Sequence, residues 1–317
     1  MMTFCKQPSL QIPPCGLKLD AFNPRRQKDK IVIVMGATGT GKSRLSIDLA
    51  TSFPAEIINS DKMQVHEGLD IVTNKITIEE QRGVPHHLLG ILNPNADLTV
   101  TNFCYMASLA IERVLGHDRL PIIVGGSNSF IEHLVDDYKY NLRSKYDCCF
   151  LWVDVSMPIL HSYVSKRVDE MIKNGMVNEV RRIFDPEANY AKGIRKAIGV
   201  PEFDKYFRFE SDWDEKTRNR ILQEAINEIK DNTCKLACRQ LGKINRLRSK
   251  GWNLHRFDAT EVYRKRGKKE AEEEWDRVVA GPSSMIVDQF LYDYVELHDF
   301  AGIRVPAIGT AMAAASH

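Results

Sequence analysis

A glycine-rich run of eight residues sets the strongest constraint on this chain. Gly36-Ala37-Thr38-Gly39-Thr40-Gly41-Lys42-Ser43 fits the pattern G-x-x-x-x-G-K-[ST]. It follows the short β-branched run Ile31–Gly36 and opens a segment of helical period reaching about Phe53. Strand, glycine turn and helix N-terminus in that order make a phosphate-binding loop. The glycines let successive N–H groups point into one hollow, and the helix end adds positive potential. Lys42 supplies a mobile charge, and Ser43 can ligate Mg²⁺, which otherwise keeps its waters. The alternative is a glycine turn without a ligand, and the adjacent Lys-Ser argues against it.

Further strands are expected at Glu56–Asn59, Leu120–Ser127 and Cys148–Val155, with helices at Thr101–Leu115 and Phe130–Asp136. This alternation predicts an α/β fold, a P-loop NTPase-like parallel sheet flanked by helices. After Pro158 the periodicity is mainly helical, which predicts a smaller, mainly helical second domain. The longest periodic run is 215–248, and Leu222, Ile226, Ile229, Ala237, Gln240 and Ile244 fall on its core stripe. The expected divisions are a leader at 1–29, a P-loop core at 30–158, a helical region at 159–280 and a C-terminal extension at 281–317. Within the helical region a strand returns at 252–259, and Lys268–Asp276 reads as a charged, exposed helix.

The leader carries four prolines and the cations Lys6, Lys18, Arg25, Arg26 and Lys28. It reads as a flexible segment or a plastid transit peptide, with the cytoplasm as the alternative location. No apolar run reaches the roughly 18 residues of a membrane-spanning helix. A net charge of +2 neither requires nor excludes nucleic acid. The seven cysteines are odd in number and lack framework spacing, as in a reducing compartment. Cys148 and Cys149 should point to opposite sheet faces. Cys234 and Cys238 share a helix face and read as buried packing, since zinc would need two further ligands. His86 and His87 read as turn and packing residues.

A phosphate loop does not state what is done to the phosphate. In a kinase or nucleotide hydrolase the γ-phosphoryl group moves, and an aspartate at a strand end helps hold Mg²⁺. Asp154 could serve there, whereas Leu120–Ser127 ends in Gly125-Gly126-Ser127 without a carboxylate. In the other class diphosphate leaves and carbon is the electrophile.

The remaining motifs separate these classes. INSDKMQVHEGLDIVTNK, GVPHHLLGIL, LPIIVGGS, KRVDEMIKNGMVNEV, KAIGVPEF and IKDNTCKLACRQ occur in that order. Together they resemble the isopentenyltransferase family, which includes tRNA dimethylallyltransferases and plant adenylate isopentenyltransferases. The likeness covers roughly residues 31–245. It implies transfer of a prenyl group from dimethylallyl diphosphate to N6 of adenine. By matching positions it assigns Asp61 to the adenine amine, Thr38 to the bridging oxygen of the diphosphate, and Arg167 to the diphosphate. It also places Ser127, Thr73 and Lys75 beside the site.

The acceptor can be a free nucleotide or tRNA. The tRNA enzymes of this family carry an inserted domain before the strand that precedes the R-V-D helix. Here only residues 128–147 fill that interval, and no cysteine follows Cys238 to build a terminal zinc module. The expected acceptor is therefore ATP, ADP or AMP, with Mg²⁺ as cofactor, no tRNA partner and a monomeric enzyme. Lys192, Arg195, Lys196, Arg218 and Arg220 are candidates for the acceptor's phosphates. A tRNA prenyltransferase, a small-molecule kinase and a nucleotide-binding regulator remain the rivals.

Overall fold

The computed structural model describes residues 28–267 and 269–292. The leader read at 1–29 and the extension read at 281–317 lie largely outside them. Six strands form one sheet: β1 (Lys30–Gly36), β2 (Ala55–Asn59), β3 (His86–His87), β4 (Leu120–Val124), β5 (Asp147–Asp154) and β6 (Leu254–Asp258). Their order is β3-β2-β4-β1-β5-β6, and every pairing is parallel. Ile31–Met35 of β1 and all of β4 read as apolar runs because helices cover both sheet faces, while β2 buries Glu56 and Asn59 among its apolar residues. β1 lies between β4 and β5, so the phosphate loop emerges from the middle of the sheet.

The helices are α1 (Lys42–Ser52), α2 (Ile78–Gln81), α3 (Val100–Gly116), α4 (Asn128–Asp136), α5 (Leu142–Lys145) and α6 (Met157–Lys173). They continue with α7 (Met176–Arg181), α8 (Asp204–Phe209), α9 (Glu215–Ser249), α10 (Thr260–Arg264), α11 (Glu270–Trp275) and α12 (Gly281–Tyr292). One face of the sheet packs Leu45 and Leu49 of α1 with Trp275, Val279 and Val287. The other packs Phe103 and Ile111 of α3 with Phe130 and Leu134 of α4. A third core, around Phe203, Met176 and Ile229, joins the helical region to Leu69 and Val72 of the segment after β2. α9 contributes Ile229 to that core, Ala237 to the α1 side and Ile244 and Leu247 to the α3 side.

Within 159–280 most buried apolar residues up to Ile229 share this third core, while the second half of α9 returns to the sheet and β6 pairs with β5. The stretch Lys268–Asp276 differs from a simple exposed helix. α11 buries Ala271, Glu274 and Trp275, and the Trp275 indole donates to Asp48 Oδ2 at 2.8 Å. The charges on its outer face hid a large aromatic anchor. His86 and His87 form an edge strand rather than a turn, and His87 Nε2 lies 2.6 Å from the buried Glu56 carboxylate. Cys148 and Cys149 do face opposite cores.

Candidate active site

The C-terminal ends of β1, β2 and β4 bring three loops together, the usual ligand position of an open parallel sheet. The register sets this meeting: Val124 pairs with Val34 on one side and Asn59 on the other. Residues 36–43 follow β1, Ser60 and Asp61 follow β2, and Gly125-Gly126-Ser127 follows β4. Only α4 and α5 occupy the interval between β4 and β5.

α1 starts at Lys42 with no side chain capping its first turn. Its leading N–H groups are open to an anion. Gly41 has φ 96°, and a Cβ there would stand 2.8 Å from the Trp275 ring. Gly39 has φ 83°, and a Cβ there would stand 2.7 Å from Val164 of α6. Left-handed backbone and close walls both require glycine at these two points.

Arg167 of α6 reaches into the loop and donates from Nη2 to Thr38 Oγ1 at 2.9 Å. Its Nε is enclosed without a hydrogen-bond partner, and burial holds the guanidinium below its ordinary pKa. A buried donor left open in this way is suited to an incoming anion. Lys42 curls back and donates to the Ala37 carbonyl at 2.7 Å. Burial lowers its pKa to about 8, with Asp61 opposing the shift and Arg167 adding to it. Thr38, Lys42, Arg167 and Asp61 therefore share one electrostatic neighbourhood.

Asp61 is held in place by its own turn. Its Oδ1 accepts from the Met63 N–H at 2.9 Å, and the Asp61 N–H donates to Asn59 Oδ1 at 3.2 Å. Oδ2 has no hydrogen bond among the described residues and faces Gly126. Ser127 Oγ accepts from the Lys62 N–H at 2.9 Å, so its hydroxyl braces the Asp61 loop.

Thr73 and Lys75 are placed differently from the four residues around Asp61. Thr73 Oγ1 donates to the Leu69 carbonyl at 2.8 Å, and Lys75 pairs with Asp70 at 2.7 Å. The Thr73 carbonyl accepts from Gln64 Nε2 at 3.1 Å. Ser43 lies exposed in the first turn of α1. Among the described residues no group of three His, Cys, Asp or Glu could hold a metal. The donor set fits Mg²⁺ only in its usual nucleotide form, one protein hydroxyl with phosphate oxygens and water. Asp154, the other carboxylate at a strand end, is paired with Arg256 at 2.8 Å.

Several wall residues escaped the sequence reading. Gln240 of α9 accepts the Thr38 N–H at 2.7 Å and donates to the Gly126 carbonyl at 2.9 Å. One side chain thus ties the phosphate loop to the β4 turn. A polar residue on an otherwise apolar stripe was the available signal. Tyr263 donates to the Gly39 carbonyl at 2.5 Å and meets Tyr163 edge to face, with the Arg266 guanidinium over Tyr163. No local motif announces Tyr263, Arg266 or Trp275.

Of the proposed acceptor cations, Lys196 pairs with Asp97 at 2.7 Å, and the Lys192 charge acts on the same carboxylate. Lys62 stands close by, its pKa lowered by burial and by the charges of Lys196 and Lys243. Arg195 is bonded to Asn95 and to the Ile183 carbonyl. Arg218 and Arg220 lie near the start of α9, about 30 Å along the helix from Gln240 at 1.5 Å per residue.

The chain matches the IPP transferase family model over residues 64–145 and 136–246. It is 58% identical over 302 residues to adenylate isopentenyltransferase 3, chloroplastic, of Arabidopsis thaliana, covering 92% of this chain and 90% of that protein. It is 55% identical over 266 residues to adenylate isopentenyltransferase 7, mitochondrial, of the same plant, covering 83% and 80% respectively. A solved eukaryotic dimethylallyltransferase acting on tRNA superposes with a TM-score of 0.70 at 22% identity, covering 84% of this chain and 80% of that one. At that identity the likeness is one of fold.

Proposed function

The chain belongs to the isopentenyltransferase family, as one of its adenylate isopentenyltransferases, and from that premise we propose how its residues divide the work. The enzyme transfers a dimethylallyl group from dimethylallyl diphosphate to an adenine nucleotide, a step of cytokinin biosynthesis. The observation that carries the assignment of roles is the convergence of Arg167 and Lys42 on the Thr38 loop, with Asp61 Oδ2 open beside them.

The donor's diphosphate sits in the loop of residues 36–43, and Arg167 and Lys42 stabilise the charge that grows on it as the C–O bond breaks. Thr38 Oγ1 lies at the bridging oxygen. Ser43 and the diphosphate oxygens would hold Mg²⁺, which would supply further neutralisation of the leaving group's charge. The allylic carbon then bonds to N6 of adenine. That nitrogen is a weak nucleophile because its lone pair is delocalised, and Asp61 takes its proton as the C–N bond forms. Diphosphate leaves with the electron pair of the broken bond.

The acceptor is a free nucleotide, with Lys62, Lys192, Lys196 and Lys243 around its phosphates. The short α4–α5 connection supports this reading, since it replaces any inserted domain between β4 and β5. The basic leader and the chloroplastic relative support plastid import.

One assay tests the reaction. The protein is incubated with Mg²⁺, dimethylallyl diphosphate and AMP, ADP, ATP or unmodified tRNA, and the products are weighed. A prenylated nucleotide is expected, with EDTA abolishing turnover. A prenylated tRNA alone would overturn the choice of acceptor, and release of phosphorylated acceptor would restore the kinase.

A further inference from the structure

On the outer side of the α6–α9 contact, away from the residues assigned above, lies a hollow of about 520 Å³. It is lined by His161, Asp231, Cys234, Lys235, Cys238 and Arg239. Cys238 is exposed, and its Sγ lies 3.4 Å from His161 Nε2. This corrects the expectation that Cys234 and Cys238 are both buried packing. Only Cys234 is partly enclosed, with its Sγ 3.9 Å from Ser165 Oγ. The helix turns Cys238 one step further outward, toward water.

An imidazole within hydrogen-bond reach of a thiol can take its proton, and neighbouring cations favour the thiolate. At Cys238 the imidazole of His161 is within that reach, and Lys235 and Arg239 line the same hollow, opposed by the single carboxylate of Asp231. The other described cysteines offer a contrast. Burial pushes Cys104 and Cys148 up to about 11 and Cys149 up to about 12. A bond between Cys234 and Cys238 is disfavoured. Residues four apart on a continuous helix hold their Cβ atoms about 5–6 Å apart, beyond the roughly 3.8 Å of a disulfide.

We propose that Cys238 is a site of reversible thiol–disulfide modification by small anionic disulfides such as oxidised glutathione, and that the modification slackens the α6–α9 clamp on the phosphate loop. His161 accepts the Cys238 proton. The thiolate attacks one sulfur of the disulfide, a new S–S bond forms, the old one breaks, and the departing thiolate recovers a proton. One disulfide replaces another, so no further oxidant is needed. Lys235 and Arg239 attract the carboxylates of the tripeptide. The consequence follows from position. His161 is on α6, which carries Arg167, and Cys238 is on α9, two residues before Gln240. Arg167 and Gln240 both end on Thr38. A tripeptide wedged between the two helices would spread that pair.

The test treats the full chain with oxidised glutathione and follows intact mass, peptide maps and prenyl transfer together. The mass readout does not depend on the assigned reaction. Cys238 should take one glutathionyl group before Cys104, Cys148 or Cys149, and turnover should fall severalfold and return with dithiothreitol. Cys238→Ser should keep its basal turnover and resist inactivation. His161→Gln should slow modification about tenfold at pH 7, with the gap closing above the ordinary thiol pKa near 8.5. Rescue at high pH distinguishes loss of the base from loss of folding. Modification of Cys238 no faster than of Cys104, equal rates in His161→Gln, or full turnover in stoichiometrically modified protein would each overturn the proposal.

Discussion

The Gln240 carboxamide holds the Thr38 N–H at 2.7 Å, so a backbone donor of the phosphate loop is engaged by α9. The same group donates to the Gly126 carbonyl, which fixes the loop against the turn that follows β4. Gln240→Ala frees one N–H and strands one carbonyl in a buried place. The expected cost is about 1–3 kcal/mol, seen as a lower midpoint in thermal or urea unfolding. Turnover should fall more than donor affinity, because the open N–H can still bind phosphate while the geometry loosens. An unchanged midpoint would remove Gln240 as the tie.

Asp61→Asn preserves the oxygen that accepts the Met63 N–H, so the turn should survive. The amide cannot take a proton from N6. Turnover should drop by about 10²- to 10⁴-fold, the usual worth of a general base. Calorimetric affinity for dimethylallyl diphosphate should stay within about twofold. A variant with near-normal turnover would show that N6 loses its proton elsewhere.

Lys42 gives the donor site a specific pH dependence. Its pKa is about 8 in the empty protein because burial disfavours the ammonium. A bound diphosphate favours that ammonium and raises the value. Below pH 8 the lysine is already charged, and binding takes up no proton through it. Between about pH 8 and the ordinary lysine value near 10.4 binding must take up a proton. Donor affinity should therefore weaken as pH rises through that window. Calorimetry in buffers of different ionisation enthalpy should show the uptake in the wild type and lose it in Lys42→Met.

Trp275 tests whether a distant segment shapes the loop. Its ring is almost fully buried beside Gly41, and its indole bonds to Asp48. Trp275→Ala should cost about 3–5 kcal/mol in unfolding experiments. Gly41→Ala should be strained twice over, by its left-handed backbone and by the ring 2.8 Å away. The double variant should recover part of the Gly41→Ala loss, because removal of the ring relieves the clash but not the backbone conformation. Strictly additive losses would mean that the contact does not matter.

The phosphate loop and the parallel sheet were legible because each rests on local pattern, whereas Asp61 and Arg167 were singled out only by the family resemblance. β1 and β4 are short apolar runs, and the glycine spacing is dictated by backbone geometry. Gln240 was visible only as a misplaced polar residue on the α9 stripe. Tyr263, Arg266 and Trp275 were not legible, since what places them is tertiary packing of a charged, unremarkable stretch. Lys75 bonds to Asp70 and the Gly68 carbonyl, partners that no local pattern announces. Cys238 was assigned inward because four-residue spacing defines a shared face but not how far round that face the solvent begins.

The cradle opens at Gly36, yet its sides arrive with Gln240, Tyr263 and Trp275. During synthesis the glycine turn emerges early, α6 brings Val164 and Arg167 to it next, and the remaining walls follow only with α9 and beyond. A nascent chain halted before α9 would carry an anion trap without its Gln240 brace. The finished pocket is among the last parts of the enzyme to exist, and competence for the donor marks completion of the whole chain through α11.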